Sequence, residues 1–317
     1  MLKFIKLKIF LCLLVIGLSK AYSQEDSMLY DKSFLDSINI DDFFKMSKLK
    51  SYFKIQTSYL SNSVYGGRKD LLALPYFTPS IEYNHKSGAY IGAAFGLLPN
   101  SNFKQDFFSL DAGFSFDTSH HFGGAIFANK LFYSDSSKNV QSNVKFTAGG
   151  VLNYYSSIIN LSSVVSLMFG SKTDFSLIFS ADHSFNFEND TSNYALTITP
   201  TLSTYFGSTG FYQNYKIKRI RPGAGGVPQN VTISINSPDK FQLLSYELSL
   251  PINYDREKWG LFFTPTYAIA VNPVSYSIKA TGPNGGNIIL PNLGIPRTEM
   301  EKISNTFYIE LGIYYKF

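Results

Sequence analysis

Charge is scarce in this chain. Asp, Glu, Lys and Arg make up 16% of the 317 residues, against roughly 25% in soluble globular proteins, too few to cover an ordinary water-facing surface. Cysteine is nearly absent, and the single copy, Cys12, lies in the first segment. Disulfides, Cys-zinc sites and a cysteine nucleophile are therefore excluded from the rest of the chain. Leu11 before it is not the small residue that a lipidation signal needs. Four histidines, His85, His120, His121 and His183, leave little material for acid–base chemistry. Beyond the first segment no window reaches the ~18 apolar residues of a membrane-crossing helix. What the chain does have is 29 Phe, 22 Tyr and 23 Gly, a composition of strands and tight turns.

Residues 1–23 read as a secretory signal peptide: Lys3, Lys6 and Lys8, then an apolar run over 9–18, then Ala21-Tyr22-Ser23. Removing Lys3, Lys6, Lys8 and Lys20 takes the 28 basic residues to 24 against 23 acidic ones, so the remaining chain is close to neutral. No nucleic-acid partner is implied by that balance. Residues 24–49 form a separate N-terminal segment, expected in the periplasm, whose Asp41-Asp42 and Lys45, Lys48 suit a short amphipathic helix. It is either a mobile tail or a plug for the mouth of the C-terminal domain.

From residue 50 to 317 the pattern has a period of two. Phe307, Ile309, Leu311, Ile313, Tyr315 and Phe317 fall on one face, and Tyr308, Glu310, Gly312, Tyr314 and Lys316 on the other. Phe108, Leu110, Ala112, Phe114 and Phe116 oppose Ser109, Asp111, Gly113, Ser115 and Asp117 in the same way. Twelve such segments are expected, near 50–60, 74–85, 88–98, 105–117, 121–133, 142–155, 158–169, 174–187, 193–206, 241–254, 258–271 and 304–317. A soluble sandwich also alternates. These segments are longer than soluble strands, carry aromatics near their ends, and have a polar face of Ser, Thr, Gly and Asn with few charges. Those features favour an all-β, antiparallel, up-and-down transmembrane barrel. The connections add an independent sign: alternate ones are short (84–87, 118–120, 156–157, 188–192 and 255–257), whereas the intervening set includes 60–73, 134–141, 207–240 and 272–303. Short periplasmic turns and long extracellular loops are the asymmetry of such barrels, which places both termini in the periplasm.

The last strand, ending Tyr315-Lys316-Phe317, resembles the assembly signal of Gram-negative outer-membrane β-barrel proteins, with Tyr315 and Phe317 as its aromatic elements. The resemblance implies a cell outer-membrane location, contact with membrane lipid and lipopolysaccharide, and handling by the barrel-assembly machinery. It names no activity.

Parity directs Lys54, Glu82, Asp111, Lys145, Asp182, Glu188, Glu247 and Glu310 to the lumen. The leading expectation is a narrow or gated channel for small polar solutes. The alternative is a non-conducting barrel acting as a structural or partner-binding subunit of an outer-membrane complex. Lys216, Lys218, Arg219 and Arg221 form a basic extracellular loop, a solvated ribbon or a lid for anionic solutes. Catalysis has little to stand on. His85-Lys86-Ser87 matches the His-x-Ser letters of outer-membrane lipid hydrolases but falls in a short turn on the side away from the outer leaflet. His183 and Ser184 are adjacent, so a strand sends them to opposite faces. No phosphate loop, metal set or cofactor motif is present, and neither a cofactor nor an enzymatic activity is expected.

Overall fold

A computed structural model describes residues 50–69, 73–119, 121–189, 194–212, 231–281, 287–288 and 296–317. The expected signal peptide 1–23, the segment 24–49, His120 and the basic residues Lys216, Lys218, Arg219 and Arg221 lie outside the described residues.

The chain begins with β1 (Tyr52–Leu60), a small hairpin of β2 (Val64–Tyr65) and β3 (Arg68–Lys69), and β4 (Tyr76–Asn84). There follow β5 (Ala89–Leu98), β6 (Lys104–Ser119), β7 (Phe122–Tyr133), β8 (Phe146–Tyr154), β9 (Asn160–Phe169) and β10 (Thr173–Asp182). β11 (Phe185–Asn189) prolongs β10, and β12 (Tyr194–Ile198) leads into β13 (Thr201–Gly207). After β14 (Val231–Ile235), β15 (Gln242–Ser249) continues as β16 (Ile252–Arg256) before β17 (Trp259–Ala270). β18 (Ser275–Thr281), β19 (Asn287–Ile288) and β20 (Arg297–Met300) precede the last strand, β21 (Thr306–Lys316).

Every wall contact is antiparallel between chain neighbours, and β21 pairs with both β17 and β1, which closes the sheet. Counting β10 with β11, β12 with β13 and β15 with β16 as single broken strands gives a twelve-strand barrel. Two of the three breaks contain a proline. Pro200 and Pro251 cannot donate to a ladder, so each interrupts its strand. The two gaps lie side by side, bridged where Thr199 N donates to Pro251 O at 2.9 Å. The strand expected to begin at residue 142 begins at Phe146, because Val140 and Val144 turn away into a buried cluster instead.

Outward residues are apolar around the whole circumference. Ile55, Ile81, Ile91, Leu110, Ile126, Leu152, Leu161, Phe179, Leu202, Leu248, Leu261 and Ile313, one from each wall strand, are all exposed. A continuous apolar belt on that scale is not a water-facing surface, and it matches the outer band of a membrane barrel. Rings border it at both ends. At the end that carries the short turns the contacts include Phe53 with Tyr83, Phe122 with Tyr154, and Tyr254 with Trp259. At the other end they are Phe with Phe: Phe95 with Phe108, Phe146 with Phe169, and Phe175 with Phe241.

The long connections pair with each other beyond the wall. β14 runs beside β18, and β18 also pairs with β19 and β20, so the two longest loops build one small sheet over the barrel mouth.

Candidate functional site in the barrel interior

The lumen has two unlike sides. On one, Tyr90, Phe127, Val151, Val164, Ile178, Tyr205 and Leu244 form a buried apolar cluster. Several of these rings lie over glycines of the next strand. A Cβ on Gly113 would collide with the Tyr90 ring and hydroxyl, and one on Gly149 would collide with the Phe127 ring. Tyr90 is the register partner of Gly113, and Phe127 of both Gly113 and Gly149. The inward face is thus less uniformly hydrophilic than the Ser, Thr and Asn count suggests. Serine-flanked pairs such as Val164-Val165, which put an apolar side chain on each face, were the available sign.

The other side is polar and charged. A row of register partners crosses it: Asn129 opposite Asp111, Asp111 opposite Gly92, Gly92 opposite Glu82, Glu82 opposite Lys54, and Lys54 opposite Lys316. Directly opposed side chains in an antiparallel pair have Cβ atoms about 5 Å apart, so these charges share one level of the lumen. Gly92 is what lets Asp111 lie across β5 toward Glu82, since any Cβ there would strike the Asp111 carboxylate. Asn84 Nδ2 donates to Glu82 Oε1 at 2.7 Å. Nearer the mouth, Glu247 accepts from Tyr308 Oη at 3.3 Å and from Ser245 Oγ at 3.4 Å. Against this wall lies a cavity of about 80 Å³, bordered by Lys54, Glu82, Asp111, Asn129, Phe107 and Glu310.

Of the residues expected in the lumen, Lys54, Glu82, Asp182, Glu247 and Glu310 are buried inside the barrel and Asp111 is half-buried. Only Lys54, Glu82, Asp111 and Glu310 border the cavity. Asp182 is separate, held by Asn160 Nδ2 at 2.9 Å. Lys145 and Glu188 are exposed: Lys145 precedes β8 at the mouth, and Glu188 stands on the β11–β12 hairpin past the far rim. Parity alone placed both inside, and parity carries no information about where along the strand direction the wall stops.

The mouth is filled. The β2–β3 hairpin folds inward and crosses to the far wall, where the hypothetical Cβ of Gly67 (φ +72°) meets Ala270 and Ser245. Arg68, fully buried, fixes it there. Its Nη1 donates to Gly66 O at 2.7 Å and Leu244 O at 3.2 Å, and its Nη2 to Asn272 O at 2.9 Å and Val271 O at 3.4 Å. Nε lies 3.5 Å from Glu301 Oε2, and Glu301 also accepts from Val274 N at 3.1 Å. Burial lowers the Arg68 pKa and the Glu301 charge opposes that shift. Above the hairpin, Tyr65, Val140, Val144, Met168, Phe211, Tyr212, Ile235, Val274, Tyr276 and Ile278 pack as one cluster drawn from several loops. Asp106 gathers the Tyr76, Ser137 and Ser134 hydroxyls at 2.5, 2.7 and 3.4 Å. Sequence reading did not single out Arg68 or Glu301. The one local sign was Gly66-Gly67 before an arginine, a turn able to bring a guanidinium close to backbone.

Three of the four histidines lie among the described residues. His85 Nδ1 and Ser87 Oγ are 2.8 Å apart in the exposed 85–88 turn, so the sequence pair does meet. The same nitrogen also accepts the Ser87 N–H at 3.2 Å, a turn-capping arrangement. His121 Nδ1 lies 3.0 Å from Tyr155 O in another turn, and His183 packs edge-on against Phe185. Among the described residues no group of three or more His, Cys, Asp or Glu could hold a metal ion.

No protein-family model matches the chain, and no curated protein does. Among solved structures it is similar to a KdgM porin (8% identity over 83% of this chain and 99% of that one, TM-score 0.39). It is also similar to a NanC porin (8%, 84% and 100%, TM-score 0.41) and to the outer-membrane protease OmpT of Escherichia coli (13%, 84% and 95%, TM-score 0.28). Likenesses this distant carry no argument; the closed register and the apolar belt decide the class. The chain is a closed transmembrane β-barrel. Within it, a charged wall faces an apolar one beneath a packed cap.

Proposed function

We propose that this barrel is a gated channel for small polar solutes, held shut at its loop end by the β2–β3 hairpin. The observation that supports the reading is the polar wall. Asn84 Oδ1, Asn129 Oδ1, Thr264 Oγ1 and Thr266 Oγ1 are buried there with no hydrogen-bond partner among the described residues. Buried polar atoms are nearly always satisfied, so a lumen built with them is suited to water. Twelve strands also enclose more room than the eight that side chains fill, and less than the sixteen of an open porin. Short turns at one rim and long loops at the other support periplasmic termini, with the cap facing outward. Lipid and lipopolysaccharide around the belt, and the barrel-assembly machinery reading Tyr315 and Phe317, belong to the same proposal.

The cap and the apolar inner wall favour one other reading, a barrel without throughput that serves an outer-membrane complex. Planar-bilayer recording separates the two. Discrete openings of the purified, folded protein support the channel; silence from both the wild type and a variant with its hairpin released supports the scaffold. The His85–Ser87 pair is tested separately: phospholipid hydrolysis that disappears in His85→Ala would make the barrel an enzyme.

A further inference from the structure

The polar wall carries a sign, and the sign concerns the solute. Glu82, Asp111, Glu247 and Glu310 point into the lumen from β4, β6, β15 and β21, and the ammonium at the cavity is that of Lys54. Lys316, at the turn-end rim, is set over the Tyr314 and Tyr52 rings, with its Nζ 4.9 and 6.0 Å from their centroids. Four carboxylates against two ammoniums, Lys54 and Lys316, still leave a negative excess along this wall.

A second feature points the same way. Thr264 is the register partner of Glu310, and Thr266 that of Tyr308, which donates to Glu247. Both threonine hydroxyls are buried, at 0% and 1% exposure, without a hydrogen-bond partner among the described residues. Asn84 Oδ1 and Asn129 Oδ1, at 1% and 6%, are in the same condition beside Glu82 and Asp111. Each is an oxygen on an inward face, and oxygen donors in series are what hydrated alkali and alkaline-earth cations exchange for water. They line one stripe, from Glu247 and Thr266 through Thr264 and Glu310 to Asp111, Glu82 and Asn84. The facing cluster of Phe127, Val151, Val164, Ile178 and Leu244 is apolar, and a low-dielectric wall opposite a line of charge concentrates its field.

We infer that the lumen passes small hydrated cations in preference to anions along this oxygen-lined stripe. The inference rests on the channel reading above. No three-residue metal-holding group occurs among the described residues, which suits transit and not retention.

The test is the reversal potential of the purified full-length protein in a planar bilayer under a KCl gradient, using the wild type and Arg68→Ala, whose hairpin is released. Folding is checked for every variant by the heat-dependent gel shift of an intact barrel. The expected result is a potential displaced toward the potassium limit, with K⁺ favoured over Cl⁻ by about tenfold. Glu310→Gln and Asp111→Asn each lower the ratio several-fold, and Lys54→Gln raises it. The opposite sign of the lysine variant cannot come from simple loss of structure. Currents that show no preference, or prefer chloride, overturn the inference and leave the channel standing. Folded protein that is silent in both wild type and Arg68→Ala overturns both.

Discussion

The hairpin latch gives the sharpest prediction. In Arg68→Ala, four backbone carbonyls lose their guanidinium partner and Glu301 loses its ion pair. The Arg68 and Glu301 side chains are 0% and 3% exposed, so no screening discount applies to the lost contact. Removing one member of a buried ion pair costs about 3–5 kcal/mol. Much of that falls on the shut state alone, because a hairpin swung out of the mouth returns its carbonyls and Glu301 to water. At about 1.4 kcal/mol per factor of ten, the balance between shut and open shifts by roughly two to three powers of ten. Single-channel recording reads it directly: rare openings in the wild type, sustained ones in Arg68→Ala, at the same unit conductance. Arg68→Lys falls between, since an ammonium cannot reproduce the planar fork. If folded Arg68→Ala opens no more often than a control at Lys172, exposed in the β9–β10 turn, changed to Ala, the hairpin is not what closes the barrel.

Other perturbations test separate parts of the structure. Gly67→Val should open the channel by steric means: its left-handed backbone alone disfavours a side chain by roughly 1–2 kcal/mol, and the new atoms strike Ala270. The readout is again open probability, with an unchanged gel shift. Ile313→Lys places a charge on the belt and should cost about 2–4 kcal/mol if that position lies near the bilayer midplane, measured by denaturant unfolding in lipid; a change below about 0.5 kcal/mol would contradict the membrane-facing assignment. In the cap, burial first, and then the hydrogen bond to Glu299, push Tyr276 up to about 12. Its folded pKa is raised, so the contribution of the neutral phenol is whole below about pH 10 and fades as pH climbs toward about 12. Ultraviolet titration of the wild type minus Tyr276→Phe should isolate one late tyrosinate, and a midpoint near 10 would contradict it.

The barrel was largely legible because its cause is local. A period of two written in Phe, Ile and Leu, interrupted by Asn, Asp and Gly, specifies which residues face outward whatever the rest of the chain does, and twelve such runs required closure. Proline explains the finer breaks at Pro200 and Pro251, which alternation by itself reads through. The site was legible only in part. Parity directed Glu82, Asp111 and Glu310 inward, and they border the cavity, since facing inward is a property of sequence position. It could not find the latch, because Arg68 meets partners about 200 positions away along the chain, and no local pattern records which wall a hairpin will cross to. Nor could it separate the exposed Lys145 and Glu188 from the buried residues of the same parity, because depth depends on the tilt and stagger of the closed sheet.

An irregularity in the wall explains why the hairpin docks where it does. Between β13 and β15 the register runs Tyr205 opposite Ser245 and then Phe206 opposite Leu243, so Leu244 is the extra residue of a bulge. A bulge takes one residue out of the ladder and re-aims its side chain. That is why Leu244 and Ser245 are both buried on the inside, against the alternation. The displaced Leu244 carbonyl is left to accept from Val271 N at 2.9 Å and from Arg68, while its side chain supports Gly66 and joins the apolar inner wall. One residue thereby links the latch to the lumen lining. Deleting Leu244 to restore regular pairing should therefore release the hairpin even with Arg68 intact, raising open probability as Arg68→Ala does. A regularised wall that still holds the mouth shut would show that the cap closes without the bulge.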